Sequence, residues 1–145
     1  MRGGIAIVAL ALAACGAGSG EGLDQNGQPT SAGGGSDPTV LVPTLASIQL
    51  NVFNARCTVC HSGAGAPQGL RLEPGSSAGS LIDMSSPYGV TVVRVIPGDP
   101  DNSFLVQKLE GTQAFGDRMP QDGPPFLPLA TIDVIRQWIQ DGAPP

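Results

Sequence analysis

Cys57-Thr58-Val59-Cys60-His61 limits this chain more than any other feature of its sequence. Two thiols three positions apart, followed at once by an imidazole, gather metal- and carbon-reactive side chains within about one helical turn. The pattern reads as a c-type haem attachment site. Its two sulfurs reach the two vinyl groups along one porphyrin edge as thioethers, and the adjacent histidine is carried under the iron as proximal ligand.

Other uses of the same residue types fit less well. A thioredoxin-like dithiol wants a strand-turn-helix setting, which the residues around Cys57 do not offer. A zinc site needs a fourth ligand, and the chain has one histidine and no second cysteine pair. A structural disulfide leaves His61 unexplained. Composition points the same way: four Phe, one Trp and one Tyr stand against 21 Gly and 14 Pro. Such a chain supplies little core of its own, and one covalent haem c adds the missing apolar surface.

The 145 residues suffice for one domain. Arg2 precedes an apolar run from Ile5 to Ala14, which has the length of a signal peptide rather than of a membrane span. Leu12-Ala13-Ala14-Cys15-Gly16 resembles the lipobox of bacterial lipoproteins, which makes residues 1–14 a leader and Cys15 the lipidated first residue of the mature chain. More than one acyl chain anchors a protein stably. Residues 15–42, rich in Gly, Ser, Asp and Gln, read as a flexible tether with a typical span of roughly 30 Å. The expectation is an exported protein, lipid-anchored to a bacterial membrane and facing the periplasm. Gly16 in place of an inner-membrane retention Asp leaves the outer membrane open. Formal net charge is −5, which argues against nucleic acid as a partner and for redox proteins with basic docking surfaces.

His61 is the only histidine, so a second imidazole from this chain cannot take the opposite face of the iron. Met119, in Gly116-Asp117-Arg118-Met119-Pro120, is the leading distal ligand; Met84, Lys108, Tyr88 and water are weaker options. Apolar spacing predicts helices over Thr44–Arg56 (Leu45, Ile48, Val52, Phe53), from Asp101 or Asn102 to a stop at Gly111, and over Leu129–Gln140 (Ile132, Ile135, Trp138, Ile139). Val90 to Ile96 is β-branched and reads as an extended segment that pairs with another short stretch.

In this order the features resemble class I cytochrome c domains of the bacterial kind. The residues that carry the likeness are the pentapeptide, Pro97-Gly98-Asp99-Pro100, Arg118-Met119-Pro120 and Trp138-Ile139-Gln140-Asp141-Gly142-Ala143. The resemblance covers residues 43–145. It implies a mostly α, small cytochrome c-like fold of three to four helices with long loops around one haem. It also implies an aromatic at Phe53, methionine ligation by Met119, and a backbone carbonyl at Pro67 or a neighbour orienting the imidazole. The function it implies is non-enzymatic, single-electron transfer between redox partners. A haem subunit fixed in a larger oxidoreductase complex, or a ligand-binding or peroxidatic haem, are the alternatives. Asp99, Asp101, Glu110, Asp117 and Asp122 are the candidate acidic docking face.

Overall fold

The computed structural model describes residues 40–145, so the expected leader, Cys15 and the expected tether through residue 39 lie outside the described residues. Helix α1 starts at Leu45–Ile48, where the Thr44 hydroxyl caps by accepting from the Ser47 amide. It continues with wider, π-type winding over Gln49–Cys57, and the Thr58 amide reaches back five residues to the Phe53 carbonyl. Ile48, Val52 and Phe53 are its buried residues, and Cys57 is its last. Leu41 also packs on the core, while the Ser47 hydroxyl accepts from the Val42 amide.

A short 3-10 turn over Pro67–Gly69 leads into α2, Ser77–Leu81. Strands β1, Ser85–Ser86, and β2, Gly89–Val93, pair antiparallel, with Ser85 opposite Val93, Ser86 opposite Gly89 and an irregularity between the two serines. Helix α3, Phe104–Glu110, ends on Gly111 in the left-handed region at φ 84°. Helix α4, Leu129–Gln140, buries Ile132, Ile135, Trp138 and Ile139 as one stripe. Trp138 is fully buried, and its indole N–H donates to the Pro144 carbonyl at 2.9 Å.

One cluster joins these elements: Ile48, Val52 and Phe53 from α1, Leu81 from α2, Val106 and Leu109 from α3, and the α4 stripe, with Leu72 and Val95 from the loops. Arg136 on α4 pairs with Glu110 at the end of α3 and with Asp101 just before it, which fastens the two helices together.

The expected mostly α, cytochrome c-like fold of three to four helices with long loops is corrected here. The described chain is a small α/β protein, with four helices and a two-stranded antiparallel sheet. The β-branched Val90-Thr91-Val92-Val93 favours an extended backbone, and the turn at Pro87-Tyr88 brings Ser85 and Ser86 alongside to satisfy it. The α3 start also moves: Ser103, rather than Asp101 or Asn102, precedes the helix. Its buried hydroxyl accepts from the Ile96 amide and donates to the Asp99 carbonyl. Among the described residues no helix is long and apolar enough to cross a membrane.

Candidate haem attachment site

The end of α1 sets the site. Amides of Cys60 and His61 both donate to the Cys57 carbonyl, at 3.2 and 2.8 Å, so the pentapeptide closes a turn as the helix stops. The Ser62 hydroxyl donates to the Thr58 carbonyl at 2.7 Å and holds that turn from the far side. Both cysteines are free thiols: Cys57 is half-buried against the core and Cys60 is exposed. Burial pushes the Cys57 thiol up to about 11 against a small opposing effect of the neighbouring Arg56 cation. That is the reverse of the low-pKa thiolate a dithiol oxidoreductase needs. Among the described residues no three His, Cys, Asp or Glu side chains gather as a metal-binding group.

His61 is held from two directions. Its Nδ1 lies 3.3 Å from the Leu70 carbonyl, and its own carbonyl accepts from the Leu72 amide at 2.8 Å. A carbonyl at Nδ1 selects the tautomer with the proton there and leaves the Nε2 lone pair for a metal. Burial lowers the imidazole pKa most; the Leu70 bond opposes that and the Arg94 cation adds to it, so the neutral ring, which is the ligating form, is favoured. The residues present therefore fit covalent haem: two free sulfurs, one on the core side, and an oriented imidazole whose neutral form burial favours.

Met119 packs half-buried on the same hydrophobic cluster as Cys57 and Leu70, and its amide donates to the Lys108 carbonyl at 2.9 Å. Three further side chains fix its loop. Arg56, next to Cys57, forms an ion pair with Asp122 at 3.2 Å, so the end of α1 and the Met119 loop are tied together. Lys108 Nζ donates to the Phe115 and Asp117 carbonyls at 2.6 and 2.9 Å, and Arg118 Nε donates to the Leu109 carbonyl at 3.0 Å. The same bonds engage the Lys108 ammonium within the chain. Met84 is 44 % exposed and Tyr88 stacks on Phe115 with ring centroids 5.7 Å apart.

Two side chains of the site were not singled out from sequence. Gln49 on α1 donates from Nε2 to the Leu72 carbonyl at 2.7 Å and accepts from the Ser77 hydroxyl at 2.6 Å, which anchors the segment after the motif. Arg94 is buried, and a lone cation within a β-branched run was the signal that it has a specific partner. An open cleft of about 460 Å³ lies between α1 and the start of α4, lined by Val52, Arg56, Phe126 and Leu127 among others; it does not include Cys60, His61 or Met119. The orienting carbonyl comes from Leu70, three residues beyond Pro67.

The five acidic residues expected to form a docking face are engaged within the chain. Asp101 and Glu110 pair with Arg136, Asp122 pairs with Arg56, Asp99 accepts from Asn102, and Asp117 accepts from Gln121. Comparison with known proteins returns no match to a family model, to a curated protein or to a solved structure.

Proposed function

We propose that the chain carries one haem c, joined through thioethers at Cys57 and Cys60, and passes single electrons between redox proteins outside the cytoplasm. The observation that carries this reading is the His61 ring, oriented with Nδ1 3.3 Å from the Leu70 carbonyl, directly after two free thiols. His61, through Nε2, and Met119, through its sulfur, are the residues that would hold the iron. When bound, the haem supplies a one-electron Fe(III)/Fe(II) couple.

The protein's own part is positional. The α1 core residues fix where Cys57 stands, the Leu70 carbonyl sets the plane of His61, and the Lys108, Arg118 and Arg56 contacts hold the Met119 loop at one setting. With both side chains held by the fold, little rearrangement of this chain would accompany a one-electron change at the iron. Lipidation at Cys15 would confine this traffic to a membrane surface, and the net negative charge steers basic partners toward it.

Absorption spectra of the ferric protein and of its Met119→Ala variant test the assignment. The wild type is expected to be low-spin with a methionine-to-iron charge-transfer band, and the variant to lose that band and turn high-spin. An unchanged spectrum in the variant removes Met119 as ligand and favours a ligand-binding or peroxidatic haem with an open distal side.

A further inference from the structure

Arg94 is a buried cation, and among the described residues it has no carboxylate in ion-pair contact. A guanidinium in that situation needs another reason to be inside. Its two terminal nitrogens are spent on main-chain carbonyls: Nη1 donates to Ser80 O and Nη2 to Gln68 O, both at 2.7 Å. The second bond matters more. Gln68 stands at φ 59°, a left-handed setting that a glutamine adopts at a cost, inside the 3-10 turn Pro67–Gly69. The next residue but one is Leu70, whose carbonyl meets His61 Nδ1.

Resting on the haem reading above, we infer that Arg94 is a positioning residue: it clamps the strained Gln68 turn against α2 and thereby sets the Leu70 carbonyl that orients the proximal imidazole. A charged donor gives the clamp its strength, since hydrogen bonds to ionised groups are about twice as strong as neutral ones. The forked geometry lets one side chain bridge two carbonyls on separate segments, which a lysine cannot reproduce. The backbone of Arg94 is fixed as well, its amide donating to the Met84 carbonyl at 2.8 Å and its carbonyl accepting from the Leu105 amide at 2.9 Å. The clamp therefore connects the proximal turn to the residues that follow β2 and to α3.

The test compares Arg94→Met and Arg94→Lys with Arg136→Met in the full-length haem-loaded protein, reading the hyperfine-shifted haem methyl resonances of the ferric state. Those shifts report the plane of the axial imidazole. Arg136→Met, which removes two ion pairs elsewhere, is expected to lower the melting temperature and leave the methyl pattern unchanged. Both Arg94 variants are expected to rearrange it, the lysine less than the methionine. If Arg94→Met does not accumulate, Arg94→Lys decides. Wild-type methyl patterns in the Arg94 variants that accumulate overturn the inference alone and leave Arg94 a structural cation. A wild-type protein without haem resonances overturns the haem reading and this inference with it.

Discussion

Individual residues of the site are distinguished by burial. Cys57 and Cys60 share a motif, yet one thiol lies against the core and the other in solvent. In unligated chain, iodoacetamide at pH 8 is expected to label Cys60 well before Cys57, as peptide mass mapping would show; equal rates would contradict the burial. The Cys57 thiol pKa is raised from 9.0 to about 11, so the folded state holds its proton more tightly than the unfolded state does. The associated stability is present below pH 9 and is lost as pH rises through about 11, by roughly 3 kcal/mol at most. With the sulfur in a thioether there is no proton to lose, and alkaline denaturation curves of loaded and unloaded protein should differ in that window. The cysteines and His61 were legible as a contiguous pattern. The Leu70 carbonyl was not, because a main-chain acceptor is chosen by the turn that presents it rather than by its side chain.

Among the elements, the Met119 loop depends on close packing. Gly116 lies at φ 65°, and a Cβ there would stand 2.6 Å from the Tyr88 hydroxyl and 2.7 Å from Lys108 Nζ. Gly116→Ala should therefore displace the lysine that straps the loop and cost about 1–2 kcal/mol. Thermal melts check the stability, and loss of the methionine-to-iron band in a folded variant would show that the strap serves the distal ligand. The three long helices could be read from the spacing of Ile48, Val52 and Phe53, of Phe104 and Leu105, and of Ile132, Ile135 and Trp138. Helix α2 could not: Ser77–Leu81 is five residues with a glycine inside and no apolar period. The sheet was half legible. Val90 to Val93 favours a strand, but its partner is two serines that carry no pattern of their own, and that pairing turned an expected mostly α frame into an α/β one.

For the molecule as a whole, the core is small and Trp138 is its largest fully buried side chain. Trp138→Ala should cost about 3–5 kcal/mol, from lost apolar burial and the indole bond to Pro144, and is expected to abolish a cooperative melt. Net charge acts at the same scale. Three of the candidate acids are ion-paired internally and Asp99 and Asp117 are hydrogen-bonded only to amides, so on the electron-carrier reading steering is expected from the overall negative charge rather than from one acidic patch. Electron exchange with a basic redox protein should then slow as salt rises, and reversing single acids such as Asp99 should change the rate little. The intact mass of the purified protein under denaturing conditions tests covalent haem most directly. The motif and the oriented His61 predict a chain heavier by one haem, which stays with the protein through acid-acetone extraction; the mass of bare polypeptide, or haem released into the solvent, would contradict it.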